Sequence, residues 1–263
     1  MMAGQVSPYA LGRFVIRELL GKIRIAGDAA ARFVQAMTTV EGARLAQLGN
    51  VAPALVLTGE GEVIDVVTVA RSGDAEYMLV TSSETAREAA AWLGAHAALA
   101  DDESAVFEGL EITDETEKLA CVSLFGPPAP AVLEELGASL PDADDSVGVG
   151  SLTVASLDGI PALVLRYPLL PEGHHEVFCA PAHLDALEHV LLSFPELDPL
   201  PAAEYAALRR KAGTWFEGAQ EAAYRHPDTP ALAALLRPGL DFVGARSLHE
   251  RRVAGSKHPT TRG

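Results

Sequence analysis

Two stretches of this chain, roughly a hundred residues apart, follow the same plan, and an internal repeat at a fixed spacing restricts the choice of fold more than any single motif. In the first, an apolar strand at 23–26 runs into Gly27-Asp28-Ala29-Ala30-Ala31-Arg32-Phe33-Val34. In the second, a strand at 121–125 runs into Gly126-Pro127-Pro128-Ala129-Pro130-Ala131-Val132-Leu133. Both read G-x-x-A-x-x followed by two apolar residues.

The likeness continues downstream. Apolar runs at 53–58 and 63–70 flank Glu60-Gly61, and runs at 151–157 and 162–167 flank Asp158-Gly159. A glycine between β-branched runs marks a hairpin tip. Each copy then closes with a strand (76–81, 176–180) and an amphipathic helix (84–98, 182–193). The repeating unit is β-α-β-β-β-α, so the expected fold is α+β rather than a doubly wound parallel sheet. The expected division is a first repeat over 1–100, a second over 101–200, and a helical segment over 201–263 that packs across both repeats and ends in a basic tail. Three prolines between 195 and 201 place the last boundary near residue 200, where a helical pattern begins and runs to 211.

With 49% apolar residues in 263, the chain can bury a core without metal or disulfide support. A net charge of −16 opposes nucleic acid and anionic membranes, and only the tail from 246 to 262 is basic. No apolar run reaches the roughly 18 residues of a membrane span and no leader-like segment opens the chain, so the cytoplasm is the expected compartment. Cys121 and Cys179 fall inside strands of different repeats with no metal-ligand spacing, and read as buried thiols. The acidic runs Asp101-Asp102-Glu103 and Pro141-Asp142-Ala143-Asp144-Asp145 read as solvated loops.

Chemistry concentrates in few places. The segment from Arg166 to Glu176 inserts Pro168, Pro171, Gly173 and ionisable groups between two strands, where repeat one has only Arg71-Ser72-Gly73-Asp74. A long loop on a rigid scaffold suits a small-molecule site. His174 and His175 are adjacent in an extended segment and point to opposite faces, so they do not chelate one ion, and no metal site is expected. Asp65 interrupts the apolar run Val63-Ile64-Asp65-Val66-Val67; alternation places it on the face of Val63 and Val67, either buried with a partner or facing solvent. Arg209 and Arg210, near Trp215, offer a guanidinium to a ligand carboxylate. Signatures of serine hydrolases, nucleotide-binding loops, dinucleotide folds and zinc proteases are missing.

These segments, in this order, resemble the folate-binding superfamily of the glycine-cleavage aminomethyltransferase (T protein) and its YgfZ-type relatives. The resemblance rests on the opening 23–33 with Met37-Thr38-Thr39, the hairpin Gly61-Glu62-Val63-Ile64-Asp65, and Phe125-Gly126-Pro127. Residues 166–176 are similar to the family's R-T-G-Y-T-G-E-x-G-x-E, with Arg166, Glu172 and Glu176 retained. Leu208-Arg209-Arg210-Lys211-Ala212-Gly213 resembles L-R-x-E-A-G, and Asp241 to Leu248 resembles the segment before the family's C-terminal barrel. The resemblance implies tetrahydrofolate in a central hole, its pterin bonded by Glu172 and Glu176, with Arg166 in the same motif and Arg209 near the glutamate tail.

The T protein's catalytic aspartate aligns with Val66, leaving Asp65 on the opposite face; Lys211 replaces a family glutamate, and the YgfZ cysteine motif is absent. The expectation is a tetrahydrofolate-binding accessory protein without aminomethyl transfer, with a role in iron–sulfur protein maintenance implied only by likeness. One alternative is a folate-dependent aminomethyltransferase using Asp65; another is a ligand-free scaffold whose cavity is filled by Leu169, Leu170 and Pro171. The protein partner is left open.

Overall fold

The computed structural model describes residues 12–16, 20–101, 104–141, 149–166, 174–205, 226–227, 230–239 and 241–256. A strand β1 (Gly12–Ile16) precedes the first copy, which runs β2 (Gly21–Ala26), α1 (Ala30–Met37), β3 (Asn50–Leu57), β4 (Val63–Gly73), β5 (Glu76–Thr81) and α2 (Ala86–Ala97). A short pair, β6 (Ala100–Asp101) and β7 (Ser104–Ala105), and then β8 (Glu111–Asp114) lead into the second copy. That copy runs β9 (Ala120–Phe125), α3 (Ala129–Glu135), β10 (Gly150–Leu157), β11 (Ile160–Arg166), β12 (His175–Cys179) and α4 (Leu184–Leu191). The described C-terminal elements are β13 (Leu197–Pro199), α5 (Pro230–Ala233) and α6 (Ala245–Ser256). The fold is α+β, with two β-α-β-β-β-α units. Among the described residues no helix is long and apolar enough to cross a membrane.

Eleven strands join one sheet in the order β13-β1-β9-β12-β11-β10-β3-β4-β5-β2-β8. Each copy contributes its strands in the same internal order, second-third-fourth-first, and the copies meet where β3 and β10 pair antiparallel through Val51 with Gly150 and Asn50 with Ser151. The outer strands are exchanged. β1, which precedes the first copy, pairs antiparallel with β9 of the second, and β8, which precedes the second, pairs antiparallel with β2 of the first. Exchange covers an edge that each unit would otherwise expose, and ties the halves through backbone bonds as well as packing.

The duplication extends to turn geometry. Gly27 and Gly126 have φ of 103° and 102°, and each carbonyl accepts the amide of the residue three further on, at the start of its helix. In the second hairpin Asp158 and Gly159 both have positive φ, the requirement of a two-residue type I′ turn.

One face of each half carries its helices. Ile23, Ile25, Ala52, Ala54, Val67, Val69 and Leu79 pack with Phe33 and Met37 of α1 and Ala89 and Leu93 of α2. Val122, Val164 and Val177 do the same with Val132 and Leu133 of α3 and Leu187 and Leu191 of α4. On the other face Val51, Ala70, Met78 and Val80 of the first half share one cluster with Cys121, Leu165 and Phe178 of the second. This face carries no helix of either repeat, so the halves close it together. Nearer the tip of the β3–β4 hairpin the same face is covered instead by the C-terminal segment, whose Leu232, Phe242, Ala245 and Leu248 join Leu55, Leu57, Val63 and Val66. A Cβ on Gly244 would lie 2.5 Å from the Thr58 carbonyl and 2.9 Å from Gly61 Cα, so the contact of α6 with the hairpin tip needs glycine on both sides.

Three expectations change. The region 195–201, read as a boundary, also holds a strand, because β13 lies within it and pairs in parallel with β1, its Pro199 tolerated on an edge strand. The acidic run at 101 is partly strand, since Ala100 and Asp101 pair with Ala105 and Ser104. Val63 lies on the opposite face from Val67, for the reason given below. Of the segment read as helix from 202 to 211, residues 202–205 are helical and the rest lies outside the described residues, as does nearly all of the second acidic run, 142–145.

Gly27 and Gly159 separate the two costs of a glycine. A Cβ on Gly27 would stand 1.8 Å from the Gly109 carbonyl, whereas nothing lies within 4 Å of one on Gly159. Gly159→Ala should cost about 1 kcal/mol, the price of a left-handed backbone, and Gly27→Ala well over 2 kcal/mol in urea unfolding.

Candidate functional site

Asp65 is fully buried in β4. The pairing of β3 with β4 steps from Val56–Asp65 to Leu57–Val63, leaving Ile64 as an extra residue in a β-bulge. The bulge breaks the alternation. Ile64 and Val67 belong to the helix-side core, while Val63 and Val66 belong to the cluster under the C-terminal segment. Asp65 therefore shares a face with Val67 and not with Val63. Its Oδ2 accepts the Ser82 amide at 2.8 Å, and its Oδ1 accepts the Ser82 hydroxyl at 2.9 Å and the Val66 amide at 2.8 Å. The Ser82 hydroxyl lies 2.5 Å from that of Thr85, the residue preceding α2. Asp65 thus ties β4 to the β5–α2 turn. Desolvation outweighs these hydrogen bonds and pushes its pKa up to about 6.

A second buried polar cluster lies on the face that the halves close together. Glu176 of β12 is 5% exposed and sits in register with Ser123 of β9 and Leu165 of β11. Its Oε2 accepts the Ser123 hydroxyl at 2.5 Å and the Cys121 thiol at 3.1 Å. Its Oε1 lies 3.2 Å from Nε2 of His174, which is also 3.4 Å from the Tyr205 hydroxyl. Nε2 is the ring nitrogen that faces the carboxylate, and it donates to Oε1 in the tautomer that carries its hydrogen there. The rings of His174, Phe125 and Tyr205 stand 5.4 to 6.1 Å apart. In the first half, on the equivalent face, Lys22 is fully buried and donates to the Leu119 carbonyl at 2.6 Å.

Strand register separates some of the residues that the linear motif groups. Arg166 pairs with His175 and Glu176 pairs with Leu165, so Arg166 and Glu176 lie one step apart and on opposite faces. Asp65, on the helix side of the first half, does not meet Glu176. Glu172 and Arg209 lie outside the described residues, as do Leu169, Leu170 and Pro171. Both cysteines are buried and neither is in a disulfide, Cys121 on the shared face and Cys179 in the core under α3 and α4. Among the described residues no three His, Cys, Asp or Glu side chains are arranged to hold a metal ion. The sequence reading missed Ser123, His174 as a partner of Glu176, Tyr205 and Lys22. Ser123 lies 53 residues from Glu176 and Tyr205 lies 31 from His174, a spacing that carries no local signal, and only the tertiary fold brings them together.

The model of the GCVT N-terminal domain matches residues 17–211, which takes in the bulged hairpin, the Glu176 strand and both repeats. The chain belongs to that family. Aminomethyltransferases of Symbiobacterium thermophilum and Streptomyces coelicolor are 27% and 26% identical to it, over 94% and 91% of this chain. They align over 65% and 63% of their own lengths, so the chain spans less than two thirds of these relatives. The glycine cleavage system aminomethyltransferase T of Bartonella henselae shares the fold, with a TM-score of 0.76 at 20% identity over 95% of this chain and 65% of that structure. In this GCVT-type fold the hairpin position after Asp65 is occupied by Val66, in an apolar cluster.

The raised pKa of Asp65 gives a signed prediction. A carboxylate more basic in the folded than in the unfolded protein contributes stability at low pH that is lost as pH rises through the folded value, here about 6. The stability of wild type relative to Asp65→Asn, from urea unfolding, should fall by about 2 to 3 kcal/mol between pH 4 and pH 8.

Proposed function

We propose that this GCVT-family chain binds tetrahydrofolate through the face its two halves close together, and does not catalyse aminomethyl transfer. The observation that carries the second part is the pairing of β3 with β4. It places Asp65 opposite Val56 and toward the helices, where Ser82 and Val66 donate three hydrogen bonds to its carboxylate, and leaves Val66 among Leu55, Leu57, Leu232 and Phe242. A carboxylate held this way supports a turn and has no route to a folate nitrogen on the other side of the sheet.

The first part is supported by family membership and by the chemistry of Glu176. A pterin presents a row of N–H donors on a flat apolar ring. A buried carboxylate beside aromatic rings, on a face otherwise lined by Val, Leu, Met and Phe, suits that demand. Glu172 and Arg209 remain part of the proposal, as a second acceptor and as a cation for the glutamate tail. Arg166, on the other face from Glu176, is not assigned to the ring.

Calorimetric titration with tetrahydrofolate tests both parts. Wild type should show saturable binding, Glu176→Gln should weaken it about tenfold or more, and Glu172→Ala and Arg209→Ala should each weaken it, while Asp65→Asn leaves it unchanged. No aminomethyl transfer from a donor should be detected. Turnover that Asp65→Asn abolishes would restore the transferase reading, and the lack of any binding heat would leave a scaffold without folate.

A further inference from the structure

The arrangement around His174 has the form of a small ligand complex made by the chain with itself. Its imidazole is a planar nitrogen heterocycle. It lies 14° from parallel with the Phe125 ring, centroids 5.5 Å apart, and its Nε2 faces the Glu176 carboxylate at 3.2 Å and the Tyr205 hydroxyl at 3.4 Å. Stacking on an aromatic face together with edge donation to a buried carboxylate is how a protein holds a flat heteroaromatic ring bearing N–H groups. The carboxylate is prepared for that role from behind, because Ser123 and Cys121 both donate to Oε2 and so fix the direction of Oε1.

His174 also stands at the point where such a group could leave. It immediately precedes β12 and is not itself a strand residue. Removing it would break no pairing of the sheet. In the motif that residues 166–176 resemble, this position is a glycine, which has no side chain to occupy the niche.

We propose that Glu176, Phe125 and Tyr205 form a recognition site for a planar heteroaromatic ring with an N–H edge, and that His174 is its internal occupant, displaced when ligand binds. The identity of the natural ring rests on the tetrahydrofolate reading; the occupancy by His174 does not. An internal occupant reduces the apparent affinity by the fraction of molecules in which the site is vacated. The wild-type protein is therefore a weaker binder than its own site allows.

The test uses His174→Gly and His174→Ala with two probes, imidazole and tetrahydrofolate. Millimolar imidazole should raise the Tm of His174→Gly but not of wild type, and the effect should vanish in the His174→Gly, Glu176→Gln double variant. Tetrahydrofolate should bind both single variants about tenfold or more tighter than wild type. On wild-type protein, titration with tetrahydrofolate should shift the NMR ring-proton signals of His174, a readout available even if neither variant folds. Equal folate affinity in wild type and His174→Ala, or binding that leaves the His174 signals unmoved, would overturn the proposal. If tetrahydrofolate binds none of the proteins, the folate reading fails alone, and the imidazole result decides the occupant: stabilisation of His174→Gly upholds it and none overturns it.

Discussion

The sheet face that carries none of the repeats' own helices sets the terms for the rest of this molecule. Each repeat has two helices, enough to cover one side of its strands, and the other side carries Val51, Ala70, Met78 and Val80 in one half and Cys121, Leu165 and Phe178 in the other. These residues leave water only if the halves bury each other, at about 25 cal/mol for each Å² of apolar surface removed. The exchange of β1 and β8 between halves follows the same logic, since a strand that completes the other unit cannot be satisfied while the halves are apart. The C-terminal segment finishes the task at the hairpin tip, where neither half reaches.

Closing that face also decides what the polar groups on it can do. Lys22, Ser123 and Glu176 sit where an unpaired charge or hydroxyl would cost several kcal/mol, and each has a hydrogen-bonding partner. Glu176 is held by a hydroxyl and a thiol of β9 and by the imidazole just before its own strand, so its orientation is a property of the β9–β12 pairing. Asp65 shows the opposite outcome for the same chemistry. Buried on the helix side and held by Ser82, it fastens β4 to the turn before α2, and its elevated pKa records the cost of that burial.

Much of this was legible in the chain. The paired glycines at 27 and 126, the two hairpins and the closing helices follow from short-range patterns, because turn geometry and amphipathic periodicity are written in neighbouring residues. β1, β8 and β13 were not seen. They are three to five residues long, and their partners lie 85 residues or more away along the chain. The bulge at Ile64 was equally hidden, since Val63-Ile64-Asp65-Val66-Val67 reads as plain alternation and one inserted residue reverses the face of Val63. Of the candidate site, Glu176 and Asp65 were named from the sequence, but their surroundings were not.

The sequence by itself determined the duplication, the α+β class and the residues that turn, because these depend on backbone conformations and periodicities that each short segment specifies alone. Which carboxylate faces which environment was decided by tertiary structure. Strand pairing puts Asp65 on the face that meets Ser82 and Thr85, and the pairing of β9 with β12, with Tyr205 packed beside them, gathers Ser123, Cys121 and His174 around Glu176. The physical reason is that a side chain's face depends on strand register, and register is settled by the pairing of segments distant in the chain.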